Sequence, residues 1–243
     1  MVGFSYLVVL PGRWALKVGI LFSGGKDSAY AAYLAKREHE VKCLITLNPA
    51  REDSYMFHFP NVRWTRLQAK TMGIPQVMVP TEAEKEVELQ DLSKALRIAK
   101  DQFSVEGVFS GALASVYQKS RVERVCAELG LQSFAPLWQI EPKVHLLNLV
   151  REGFDTIITG VAALGLDEGW LGRRLDGHMV EELLELQRKH GMHAALEGGE
   201  GETFVLDCPI FGERIEITSS RKHWNGMAGH LEILEARLVP KAG

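Results

Sequence analysis

The hexapeptide Ser23-Gly24-Gly25-Lys26-Asp27-Ser28 limits what this chain can fold into more than any other segment. It lies between the apolar run Ala15 to Phe22 and the Ala- and Tyr-rich stretch Ala29 to Lys36. A strand that ends in paired glycines and passes at once into a helix is the opening of a β-α-β unit. The glycines let the main chain come close to an anion, and the first N–H groups of the helix point towards it. Lys26 adds a compact positive charge, and Ser23 and Ser28 add hydroxyl donors. The unit reads as a polyphosphate cradle; the alternative is a plain Gly-Gly turn.

Downstream the alternation of strand and helix continues. Strands are expected at Val41 to Leu47, Gln76 to Val79, Val105 to Phe109 and Phe154 to Thr159. Helices are expected over about 61–72, 82–102, 115–129 and 141–151, the second with a buried stripe of Val87, Leu92, Leu96 and Ala99. Its opening cluster, Glu82, Glu84, Glu86 and Glu88, reads as a solvated face near a helix N-terminus. The expected fold class is therefore α/β, a mostly parallel, doubly wound, Rossmann-like sheet covered on both faces. Ligands of such sheets bind beyond the strand C-terminal ends, where the glycine loop, Ser110-Gly111-Ala112 and Gly160-Val161-Ala162 should converge.

The character changes after Leu175. A helix from His178 to His190 precedes a Gly- and Glu-rich turn and extended runs at Thr203 to Leu206, Arg214 to Thr218 and Leu231 to Leu238. The expected organisation is an N-terminal extension over 1–14, a nucleotide-binding domain over 15–175 and a small α+β, substrate-side appendage over 176–243. The run Phe4 to Leu10 reads as an added edge strand or as translated sequence upstream of the natural start, and it is far too short to span a bilayer.

Composition narrows the partners. A net charge of −3 over 243 residues gives no electrostatic footprint for nucleic acid. Cys43, Cys126 and Cys208 are scattered and form no CxxC pair, which points away from zinc and dithiol chemistry and towards a reducing, cytoplasmic setting. His190 and His193 stand at a metal-like interval, but Gly191 between them reads as a helix end.

Three other segments carry chemistry. Ser110 to Arg121 is a small-residue strand exit into a helix on which Tyr117 and Arg121 share a face, either lining a ligand or packing a turn. Gly165 to Arg173, with Asp167, Trp170 and Arg173, suits a ligand loop or an interdomain joint equally. Glu197, Glu200 and Glu202, spaced by glycines, repel one another unless solvated or paired with a cation. They could ring a small cation or form a solvated acidic hairpin.

The glycine loop is not a Walker A motif, because Ile20 occupies the first glycine position and Asp27 follows the lysine. Ser-Gly-Gly-Lys-Asp-Ser instead resembles the PP-loop of ATP pyrophosphatases, which implies AMP and pyrophosphate as products. With the 110–121, 165–173 and 197–203 segments in this order, the chain from about Ala15 onward resembles the archaeal-type diphthine–ammonia ligase branch of that family. One departure is Gly201, where the branch carries an aromatic residue; the resemblance then implies a more mobile loop.

The resemblance implies ATP with Mg²⁺, the diphthine form of elongation factor 2 as protein substrate, and ammonium as nitrogen donor. Ser23, Gly24, Gly25, Lys26, Asp27 and Ser28 would hold phosphates, with Asp27 also at the metal, and Ser110, Gly111 and Ala112 would line the nucleotide pocket. Lys26, Asp27, Arg121, Glu197, Glu200 and Glu202 would carry the chemistry. Tyr117, Gln118, Asp167, Trp170 and Arg173 would meet the substrate, Tyr117, Trp170 or Trp138 offering a cation–π face to its quaternary ammonium. Two other readings stay open: a PP-loop enzyme adenylating a tRNA base or small carboxylic acid, and an ATP-binding sensor without chemistry. No membrane association is expected, and the oligomeric state stays open, a homodimer included.

Overall fold

The computed structural model describes residues 15–49, 61–81 and 85–241. The run Phe4 to Leu10, the loop 51–60 and the side chains of Glu82, Glu84, Glu86 and Glu88 lie outside the described residues.

The first half alternates as expected: β1 (Lys17–Leu21), α1 (Lys26–Glu38), β2 (Glu40–Pro49), α2 (Thr65–Met72), β3 (Gln76–Thr81), α3 (Lys85–Phe103), β4 (Gly107–Phe109), α4 (Val116–Leu129) and β5 (Gln132–Phe134). The strands form one parallel sheet in the order β3-β2-β1-β4-β5. The chain winds outward from β1 to β3, then returns to the other side of β1 as β4. The strand order therefore reverses between β1 and β4, the position where open α/β sheets leave a crevice at their C-terminal ends. Both the glycine loop and Ser110-Gly111-Ala112 leave the sheet there.

Local chemistry sets the element ends. Ser115 caps α4 by accepting the Gln118 N–H, and Glu141 caps the next helix by accepting from Lys143 and Val144. Gly130 ends α4 with a φ of 66°, a left-handed turn that glycine adopts without strain. Alternate residues of the central strands feed two cores. Val18, Ile20 and Leu44 join Ala29, Ala32 and Ala35 of α1 on one face, while Cys43, Ile45 and Val108 join Leu96, Ala99 and Val125 of α3 and α4 on the other.

The second half comprises α5 (Pro142–Arg151), β6 (Asp155–Val161), α6 (Gly177–His190), β7 (Gly201–Asp207), β8 (Arg214–Trp224) and β9 (Gly229–Val239). Its four strands form an antiparallel sheet, β7-β6-β9-β8. This corrects one expectation: the strand at 154–159 does not extend the parallel sheet but pairs with β7 and β9. A strand buried on both faces, as β6 is from Thr156 onward, fits either kind of sheet, and its partners here lie far along the chain. The core on the α1 face runs on without a break through Ile157, Met179, Leu183 and Phe204, so the second sheet packs beside the crevice. Among the described residues, no helix is long and apolar enough to cross a membrane.

Candidate active site

The glycine loop is shaped by neighbours on both sides. Gly24 has a φ of 86°, and a Cβ there would lie 2.6 Å from Gln68 Oε1 and 2.9 Å from Thr65 Cγ2. No other residue fits both the conformation and the space. Ser28 Oγ donates to the Gly25 carbonyl at 3.0 Å and lies 3.2 Å from Ser23 Oγ, which holds both hydroxyls inside the turn. At the exit of β4, a Cβ on Gly111 would lie 2.7 Å from the carbonyl carbon of Asp27 and 2.8 Å from Ser28 N. Gly111 thus lets the second loop lie directly on the first turn of α1, with Ser110 and Ala112 buried beside it.

Lys26 is buried, with Nζ 2.8 Å from Asp27 Oδ2. The other Asp27 oxygen lies 2.7 Å from Nε2 of His145, a fully buried residue of α5 whose ring meets Tyr30 edge-on. Burial by itself would raise the Asp27 pKa. The Lys26 charge and the His145 hydrogen bond outweigh it and leave the carboxyl lowered to about 2. Sequence reasoning missed His145. Its one signal is a polar residue on the buried stripe of a helix otherwise closed by Leu146 and Leu149.

The three glutamates divide into different duties. Glu197 Oε1 accepts from Leu113 N at 2.9 Å and from Ala114 N at 3.4 Å, which ties its turn to the β4 exit loop. Glu200 accepts from His193 N at 3.0 Å and, with its other oxygen, from Gly198 N at 2.5 Å, so its carboxylate closes the turn itself. Glu202 lies in β7 opposite Gly160 of β6 and stays exposed. Surrounding protein raises its pKa to about 7; Lys26 pulls it down, while Asp27 and Glu197 push it up. Gly201 beside it is tightly placed: a Cβ would lie 2.7 Å from the Gly160 carbonyl and 3.2 Å from Leu196 Cδ1.

The second sheet also bonds to the phosphate loop. Thr203 Oγ1 accepts the Lys26 N–H at 3.1 Å, and Val205 N donates to the Gly24 carbonyl at 3.1 Å. The glycine loop, the β4 exit and the acidic turn therefore meet at one place.

The remaining expected residues lie on α4 and on the 167–173 segment. Tyr117 is half exposed in the first turn of α4, with the Arg121 guanidinium stacked 4.0 Å from its ring centroid. Gln118 donates its main-chain N–H to Ser115 Oγ, and Lys119 lies 5.1 Å from the Trp138 ring. Asp167 caps a single 3-10 turn, Trp170 is buried, and Arg173 stacks on Trp170 at 4.5 Å while pairing with Glu182. Their segment runs along β6, with Gly172 N donating to Ile158 O and Ile158 N to Arg173 O. The contacts of Asp167, Trp170 and Arg173 run within their own segment and to Glu182 and β6, and not to the glycine loop.

No group of three or more His, Cys, Asp or Glu that could hold a metal exists among the described residues. Asp27 suits a different arrangement. It is ionised, it sits at the phosphate loop, and its side chain keeps 21% of its surface. One such carboxylate fits Mg²⁺ carried mainly by phosphate oxygens and water. The site as a whole sets a cation and two carboxylates, Asp27 and Glu202, beside the glycine loop.

Residues 16–133 match the family model described as the diphthamide synthase N-terminal domain, and residues 142–239 match that of the diphthamide synthase C-terminal domain. The diphthine–ammonia ligase of Bos taurus is 38% identical over 226 residues, covering 84% of each chain. That of Homo sapiens is 38% identical over 228 residues, again with 84% of each chain covered. The Schizosaccharomyces pombe ligase is 35% identical over 238 residues, which make up 90% of this chain and 39% of that protein.

Proposed function

The chain belongs to the diphthamide synthase family, and we propose that it forms diphthamide by ATP-dependent amidation of the diphthine carboxylate on elongation factor 2. Ammonium is the nitrogen donor, and AMP and pyrophosphate leave. The observation that carries this reading is the joining of the glycine loop to β7, where Thr203 Oγ1 accepts the Lys26 N–H and the charges of Lys26 and Asp27 act on the Glu202 carboxyl.

In the first step a diphthine carboxylate oxygen attacks the α-phosphorus of ATP. The bond to the β-phosphate oxygen breaks, and pyrophosphate leaves with that electron pair. Ser23, Gly24, Gly25 and Ser28 hold the departing phosphates, Lys26 offsets their growing charge, and Ser110, Gly111 and Ala112 line the nucleotide side. Donors placed in advance for such charge contribute about 3–4 kcal/mol each. Asp27 is the residue that would hold Mg²⁺, which when bound neutralises phosphate charge. Arg121 serves the α-phosphate or the acceptor carboxylate, with Tyr117 giving the quaternary ammonium an aromatic face and Gln118 beside it.

In the second step ammonium gives one proton to Glu202, and the resulting ammonia attacks the acyl carbon. The tetrahedral adduct loses a second proton and expels AMP, leaving the amide. Glu197 and Glu200 act by holding the turn from which Glu202 extends. Asp167, Trp170 and Arg173 brace the rim of the second sheet. Cys43, Cys126 and Cys208 are free and buried, which suits the reducing cytoplasm where the protein substrate works.

The two steps separate experimentally. Glu202→Gln should retain acceptor-dependent pyrophosphate release while amide formation falls on the order of 10²–10⁴-fold, the usual worth of a general base. Amide formation at the normal rate would remove Glu202 from the chemistry.

A further inference from the structure

Gln68 of α2 takes no part in the chemistry above, yet it is fully buried at the junction of the two half-sites. Its Nε2 donates to the Gly24 carbonyl at 2.9 Å and to the Val205 carbonyl at 2.8 Å. One amide group thus bridges the phosphate loop to β7, the strand that carries Glu202. The same Gly24 carbonyl also accepts from Val205 N at 3.1 Å. A second tie runs two residues away, where Thr203 Oγ1 accepts the Lys26 N–H at 3.1 Å. Among the described residues, Gln68 Oε1 is buried without a hydrogen-bond partner and lies where a Gly24 side chain would be, so the amide is fixed in place chiefly by its two donated bonds. A buried polar group left half-satisfied costs free energy that a fold need not incur for packing alone.

We infer that Gln68 is a positioning residue that locks the phosphate loop to β7, so that Lys26 and Glu202 keep one separation through both steps. The inference rests on the proposed two-step reaction. Its consequence is specific. An adenylate formed over Lys26 must meet ammonia next to Glu202 before water reaches it, and a misplacement of about 1 Å can cost on the order of 10²-fold in rate. Loosening the lock should therefore harm the second step more than the first. The adenylate would then be lost to hydrolysis, in which water attacks the acyl carbon, AMP leaves, and diphthine carboxylate is regenerated.

The readout is the number of AMP molecules formed per amide, at saturating ATP, ammonium and diphthine-form elongation factor 2. Gln68→Met keeps the length of the side chain and removes both donated bonds. The expected result is a rise in AMP per amide of about fivefold or more, with ATP-dependent adenylation slowed less than amide formation. Thr203→Val tests the second tie should Gln68→Met fail to fold; it should raise the same ratio, and Thr203→Ser should restore it. An unchanged ratio in the folded variants, whether both rates fall together or neither does, would overturn the inference and leave Gln68 a packing residue. Should the wild-type protein form no amide at all, the proposed function fails instead, which the wild-type control distinguishes.

Discussion

Glu202 shows how position divides residues that look alike in sequence. Glu197 and Glu200 have their carboxylates on main-chain N–H groups, whereas the Glu202 carboxyl is acted on by the charges of Lys26 and Asp27. Glu200→Gln keeps an acceptor oxygen for the turn, so it should reduce amide formation at least tenfold less than Glu202→Gln, as measured by initial rates. With its carboxyl raised from 4.5 to about 7, Glu202 becomes a base only as pH climbs through neutrality. Amide formation should rise through about pH 7 in the wild type, and Glu202→Gln should lose that limb. Stability runs the opposite way. A carboxyl whose folded pKa exceeds its unfolded one contributes fully below 4.5 and loses that contribution as pH rises through about 7. Glu202→Gln should therefore have the higher Tm at pH 8 and no advantage near pH 4, by thermal melts at both values. Gly160 bears on the same carboxylate. Its φ lies outside the left-handed region, but a Cβ would lie 2.9 Å from Glu202 Cβ and 3.1 Å from Cγ. Gly160→Ala should lower the amide rate about tenfold or more, and adding Glu202→Gln should cost little further, the non-additivity of residues acting on one group.

At the scale of elements, α5 reaches back from the second half of the chain to set Asp27 at the start of α1. His145→Leu removes one partner of that carboxylate and should cost about 1–3 kcal/mol of stability, read from urea unfolding, with weaker ATP binding. How much of this was legible follows from how local the cause is. The strand, glycine loop and helix at Ala15 to Lys36 were readable because turn, charge and periodicity sit within a few residues. So were the ends of α4 and α6, where Ser115, Gly130 and Gly191 act on their own turns. The strand at 155–161 was legible as a strand but not by sheet, since β7 and β9 decide its pairing. β5, three residues long, is too short to show any alternation. His145 sat among leucines, and only the fold brings it to Asp27. The glutamates read as one cluster because turn geometry, not spacing, selects which carboxylate meets a main-chain N–H.

Over the whole molecule, a parallel sheet carries the glycine loop at its point of reversal, and an antiparallel sheet brings β7, the strand of Glu202, against that loop. A common core between the two keeps their separation set before substrates arrive. We propose that this arrangement converts diphthine to diphthamide. The direct test incubates the full chain with ATP, Mg²⁺, ammonium and elongation factor 2 arrested at diphthine, then follows the modified peptide by mass spectrometry and the nucleotide by chromatography. The expected result is the mass change of a hydroxyl replaced by an amine, with one AMP formed for each amide. An unchanged peptide from folded protein that binds ATP, or ADP in place of AMP, would contradict it.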